Sequence, residues 1–182
     1  MSMRDLAGIN QVELIVTVAA ALTWWPVAGF SESPNLGRPA TVTQIQGRSM
    51  NVFPNGRGLP SGSGTVAEGA AVYEQQCLSC HGIMGGGWSA DELAGARHKL
   101  TEPDPDKIIG NYWPYATTLF DFIRRSMPLD NPGSLSDNQV YGVTAYLLHL
   151  NGLWDSQARM DAEKLAGIVM PNRDGFIGID AH

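Results

Sequence analysis

Cys77-Leu78-Ser79-Cys80-His81 is the stretch whose residue types and spacing could do chemistry. Two thiols separated by two residues, with a histidine directly after, is the arrangement that covalent haem attachment needs. One helical turn carries both thiols to one porphyrin edge, where each adds across a vinyl group. The adjacent His81 then offers its imidazole to the iron as the proximal ligand. The chain has two cysteines in all, so it offers one such site, for one haem. Two other chemistries use the same residues. Zinc needs a fourth ligand, for which His98 or His149 would have to be recruited. A redox dithiol needs a strand–helix frame around the Cys-x-x-Cys, which the flanking sequence lacks.

A haem iron also takes a ligand on its far side. The methionines after the motif are Met84, Met127, Met160 and Met170. Chain spans at most about 3.3–3.6 Å per residue, so Met84 sits too close to His81 to round the haem edge. Met127, held by Pro128 between two expected helices, is the expected distal ligand; Met170, His98 and His149 are the alternatives. Trp113 and Tyr115 each carry one polar handle on an apolar body. Both would suit haem propionates, and both would also serve as plain core aromatics. The run Met84-Gly85-Gly86-Gly87-Trp88 either wraps a flat ligand or is an ordinary loop. It lacks the strand–loop–helix frame and the lysine of a phosphate cradle.

The elements that position these residues read as helices. Thr65-Val66-Ala67-Glu68 is a capping box that opens a helix running to about Gln76. Gly69 inside that helix costs about 1 kcal/mol against alanine, which implies a close approach by another element. Tyr73 lies one turn before Cys77. A short helical turn is expected at 104–110. A second helix is expected from about Thr117 to Ser126, with Leu119, Phe120 and Ile123 on its apolar side. A last helix opens at the capping box Ser136–Gln139 and carries Val140, Val143, Tyr146, Leu147 and Leu150 at helical spacing. It stops at Asn151-Gly152. The first and last helices are expected to cross with the Tyr146 ring over Gly69. The fold class is all-α, with a core at 65–150.

Two flanks surround that core. Residues 30–64 are broken by proline and glycine and read as an extended arm, with a minor strand or turn at Thr41–Ile45. Residues 151–182 read as a tail with a short helix at 156–166. Both carry apolar anchors, Ile45, Val52 and Phe53 in one and Ile168, Val169, Met170 and Phe176 in the other. They are expected to be linkers or segments that fold on a partner, leaving 65–152 able to hold haem alone.

Length and charge narrow the classes further. At 182 residues the chain supports one domain with extensions. A net charge of −6 argues against nucleic acid as a partner. Residues 1–29 read as an export signal: Arg4, an apolar run from Leu14 to Trp25, then Pro26-Val27-Ala28-Gly29 for cleavage. A retained anchor or a buried helix is the alternative. The run is short for a membrane span, so no stable span is expected after cleavage, and the location expected is periplasmic.

From Gly69, Tyr73, the Cys77–His81 motif, Met127-Pro128 and Tyr146, residues 65–150 resemble a class I cytochrome c. A narrower likeness runs through Leu36–Ala40, Gly64–Gly69, Tyr112–Leu119, Arg124–Pro128 and Met170–Phe176. These stretches are similar to the cytochrome c subunit of Sox-type sulfur (sulfane) dehydrogenase and its sulfite dehydrogenase relatives. The resemblance implies a partner subunit bearing a molybdenum cofactor, with electrons passed on to a downstream cytochrome c or oxidase. Some such subunits are described as dihaem; a single motif here implies a monohaem carrier. No residue set for substrate catalysis competes with this reading. The alternatives are a stand-alone periplasmic shuttle, and a haem enzyme or gas-binding protein with a displaceable sixth ligand.

Overall fold

The computed structural model describes residues 37–48, 50–97 and 99–177. The expected signal at 1–29 and His98 lie outside the described residues. The chain divides after Ala40, and the compact unit begins at Thr41.

Thr41 opens a helix, α1 (Val42–Arg48), where the sequence suggests a strand or turn. The reason is local. Thr41-x-x-Gln44 is itself a capping box: the Gln44 N–H donates to Thr41 Oγ1 at 3.2 Å and the Thr41 N–H donates to Gln44 Oε1 at 2.9 Å. The part that carries the Cys77–His81 motif begins at a two-residue strand, β1 (Ser63–Gly64), followed by α2 (Val66–Gln76). Both halves of the Thr65–Glu68 capping box form, at 3.2 and 2.7 Å. A single turn, α3 (Leu78–His81), and a 3-10 turn at Ile83–Gly85 follow. Two longer helices, α4 (Ala116–Ser126) and α5 (Asp137–Leu150), come next. The chain then runs through β2 (Met160–Asp161) into α6 (Ala162–Ala166). Residues 104–108 are not helical, and a turn at Ile108–Tyr112 takes the place of the expected element. The helix expected over 156–166 is reduced to α6. The two strands pair antiparallel, Ser63 opposite Asp161.

Helices α2 and α5 cross at backbone contact. A Cβ built on Gly69 would lie 1.8 Å from the Gly142 carbonyl oxygen, and one built on Gly64 would lie 2.3 Å from the Gly142 nitrogen. The crossing is as expected, but its partner is different. Gly69 meets the backbone of Gly142 and Val143, and the Tyr146 ring lies beside Tyr73 instead, 5.2 Å between centroids. Tyr146 is one turn further along α5, so a glycine was needed to let the backbones meet. Helix α4 closes the core, with Phe120 against Tyr141 at 4.5 Å.

Both flanks pack on the core. The Val52 N–H donates to the buried Asp121 carboxylate at 3.0 Å, and Thr117 Oγ1 donates to the Pro54 carbonyl at 3.3 Å. The Tyr141 hydroxyl donates to the Pro60 carbonyl at 2.8 Å. In the tail, Met160, Leu165 and Met170 are fully buried in the same apolar cluster as α2, α4 and α5. Asn172 Nδ2 donates to the Tyr112 carbonyl at 2.7 Å. The core is thus wider than the expected 65–150, since Val52, Met160, Leu165 and Met170 belong to the same buried cluster. Among the described residues no helix is long and apolar enough to cross a membrane.

Deleting a buried leucine side chain costs about 2–5 kcal/mol. Leu165→Ala is therefore expected to lower the stability of the chain by that amount in denaturant unfolding. An unchanged midpoint would show that the tail is not part of the core.

Candidate functional site

The site grows out of the end of α2. The Cys77 N–H still donates to the Tyr73 carbonyl at 2.9 Å, but the backbone at Cys77 leaves helical geometry and starts α3. His81 N–H donates to the Cys77 carbonyl at 2.9 Å, so one turn carries both thiols and the imidazole. Cys77 is half-buried and packs on the core cluster, and Cys80 is exposed. Burial, with Cys80 beside it, pushes the Cys77 thiol up to about 11. A redox dithiol needs the opposite shift. Among the described residues, which do not include His98, no three or more Cys, His, Asp or Glu side chains are grouped to hold a metal ion.

The loop after His81 folds back onto the motif. Gly82 adopts φ +72°, and a Cβ there would lie 2.4 Å from the Gly87 carbonyl oxygen. Only glycine meets both conditions. The Gly87 N–H then donates to the His81 carbonyl at 2.8 Å and the Ala90 N–H to the Cys80 carbonyl at 2.9 Å. This closure brings the Asp91 carbonyl to 3.0 Å from His81 Nδ1. A carbonyl only accepts, so the Nδ1 position carries the proton and Nε2 keeps its lone pair for a metal. The backbone of Asp91 is a functional partner that the sequence did not reveal, because no side chain marks it.

Tyr73 fastens the turn from beneath. Its hydroxyl donates to the Gly82 carbonyl at 2.8 Å, and its ring, 2% exposed, lies against Tyr146. Burial pushes the phenol up to about 12, so it remains a donor through the neutral range. Asn151 is a second tie missed in the sequence, where it reads only as a helix stop. Its Nδ2 donates to the Leu147 carbonyl at 2.8 Å and the Leu93 carbonyl at 3.1 Å, and its Oδ1 accepts from the Gly110 N–H at 2.9 Å. It pins the loops on either side of the site to the end of α5.

Met127 follows α4, half-buried at the margin of the core cluster; Trp113 lies at the same margin, edge-on to Phe122 at 5.8 Å. Tyr115 is the residue at which α4 begins and lines a small crevice with Thr117, Leu165 and Arg173. Neither the Trp113 indole nor the Tyr115 hydroxyl bonds another described residue. Met84 is exposed on the loop, and Met160 and Met170 are sealed in the core. His149 Nδ1 lies 3.0 Å from the Trp154 carbonyl.

Comparison with known proteins settles the family. The family model described as cytochrome c matches residues 66–151. A chain of the crystal structure of the sulfane dehydrogenase SoxCD from Paracoccus pantotrophus shares the fold with a TM-score of 0.75. It is 41% identical, over 81% of this chain and 73% of that one. The chain belongs to the cytochrome c family. The thiosulfate dehydrogenase of Stutzerimonas stutzeri (strain A1501) is 27% identical to this cytochrome over 139 residues, 73% of this chain. The cytochrome spans only 38% of that protein's length. Its cofactor is covalently bound c-type haem, and its role is electron transfer. The residues present fit that group: two thiols on one turn, beside an imidazole whose free nitrogen is set by the Asp91 carbonyl.

Tyr73→Phe removes one hydroxyl and leaves the Gly82 carbonyl without its donor, a loss of about 0.5–1.5 kcal/mol for this part-buried bond. The sign with pH follows from the raised phenol. Below pH 10 its contribution is complete; above 10 the unfolded chain ionises first, and the contribution fades as pH rises toward 12. Urea unfolding at pH 7 and pH 11 is expected to show a smaller penalty for the variant at pH 11. A penalty that is the same at both would contradict this role for the hydroxyl.

Proposed function

We propose that this cytochrome is the haem subunit of a sulfur-oxidising dehydrogenase. It takes electrons from a molybdenum-cofactor subunit that oxidises sulfane sulfur or sulfite. It passes them singly to a downstream cytochrome c or oxidase, in the periplasm after removal of residues 1–29. The observation that carries this reading is the extent of the likeness to the sulfane dehydrogenase chain. It covers 81% of this chain, well beyond the residues 66–151 that make a cytochrome domain. The shared part therefore includes flanking chain that a cytochrome domain lacks.

In this reading Cys77 and Cys80 hold the porphyrin, and His81 is the proximal iron ligand. Met127 is the distal ligand. Of the methionines after the motif it is the one both half-buried and set in a loop, since Met84 is exposed and Met160 and Met170 are enclosed. Trp113 and Tyr115 keep free donors for propionate oxygens. The haem supplies a one-electron couple. The chain's part is to tie down His81 through Asp91, keep the porphyrin among apolar residues, and leave substrate chemistry to its partner.

Replacing both Cys77 and Cys80 by alanine is expected to leave no haem attached after denaturation; retained haem would overturn the attachment. Met127→Ala is expected to shift the visible spectrum and lower the potential, because a thioether favours ferrous iron. An unchanged spectrum at neutral pH would point to another ligand. The partner is tested by affinity purification of the chain from its native host. The expected result is a co-purifying subunit with molybdenum in about equal amount to haem. Recovery of the haem protein alone, without molybdenum, would favour the stand-alone shuttle.

A further inference from the structure

We propose that the depression beside the haem-attachment loop is the exit port of this relay, a docking site for a basic, lysine-rich redox protein. The inference rests on the electron-transfer reading above and adds the partner's chemistry and the face it meets.

The depression, about 640 Å³, lies between the loop that follows His81 and the segment before Ile108. Trp88, Asp91 and Glu92 line one side, and Asp104, Asp106 and Lys107 the other. Trp88 is 84% exposed, and Ile83 and Met84 of the same loop are 80% and 62% exposed. Folding does not account for an indole left in water at this place. Tryptophan at the centre of an interface is among the side chains that most often carry binding energy.

Charge selects the partner. Four carboxylate residues line the depression against one lysine, and the Lys107 ammonium sits 5.6 Å over the Tyr112 ring. A cleft of one sign steers proteins of the opposite sign and repels its own, raising encounter rates 10- to 10³-fold at low salt. The wall of the depression also leads to the iron ligand. Asp91 lines it, and the Asp91 carbonyl is the group 3.0 Å from His81 Nδ1. A protein seated there is one peptide group and one hydrogen bond from the proximal histidine.

The test uses the haem-loaded full chain, reduced with ascorbate so that no dehydrogenase is involved. Its failure would therefore leave the dehydrogenase reading standing. Oxidation is followed by stopped flow with two oxidants, the basic mitochondrial cytochrome c and the anion hexacyanoferrate(III). The variants are Trp88→Ala and the pair Glu92→Lys with Asp104→Lys. At an ionic strength of about 10 mM, where charges act over some 30 Å, the charge-reversed pair is expected to slow the basic cytochrome about tenfold or more. The difference should vanish in high salt, and hexacyanoferrate(III) should not be slowed. Trp88→Ala is expected to slow the basic cytochrome several-fold at both salt levels. A charge-reversed chain that reduces the basic cytochrome at the unmodified rate would overturn the proposal. So would equal slowing with both oxidants, which would place the effect on the haem and not on docking.

Discussion

The fold depends on two glycines. Gly69 in α2 and Gly142 in α5 let two helix backbones touch, where even one methyl group would sit 1.8 Å from a carbonyl oxygen. Glycine inside a helix costs stability, so the contact must return more than it loses through the packing it permits. It permits a good deal. With the backbones touching, Tyr73 reaches Tyr146, Val72 and Val143 enter one cluster, and Gly64 passes over the same point at the end of β1. The end of α2, where Cys77 sits, is fixed by this crossing and not by haem contacts alone.

From there the constraint passes to the His81 imidazole through short links. Tyr73 holds the Gly82 carbonyl, and Gly82 turns the chain with a backbone angle other residues resist. The loop then returns to place the Asp91 carbonyl on His81. Helix crossing, turn and imidazole tautomer are thus one mechanical series. The flanks add weight to it: Asp121 in α4 accepts from Val52 and is paired with Arg125 at 2.5 Å, and the tail fills the core with Leu165 and Met170.

How much of this was legible depends on the range of the signal. Capping boxes at Thr65 and Ser136 and the Cys77–His81 spacing are local chemistry, and their helices begin where those residues say. The Thr41–Gln44 box was just as local, yet the stretch Thr41–Ile45 read as a minor strand or turn. Gly69 announced a close contact, but a glycine has no side chain to name its partner, and Gly142 was hidden among apolar neighbours on α5. Asp91 acts through its carbonyl, which every residue has. The packing of arm and tail rests on pairs such as Val52 with Asp121 and Asn172 with Tyr112, 69 and 60 residues apart. No window of sequence spans them, so composition suggested loose extensions where the chain has buried anchors.

The central claim is that this chain carries a single covalent, closed haem that moves electrons and does not bind substrate. The measurement that tests it most directly is a redox titration of the haem-loaded chain with spectra taken before and after carbon monoxide. The account predicts one haem per chain, a single one-electron transition, and a reduced spectrum that carbon monoxide leaves unchanged. A carbon monoxide adduct at neutral pH would mean an open or displaceable sixth position, and would contradict the account in favour of a gas-binding or catalytic haem.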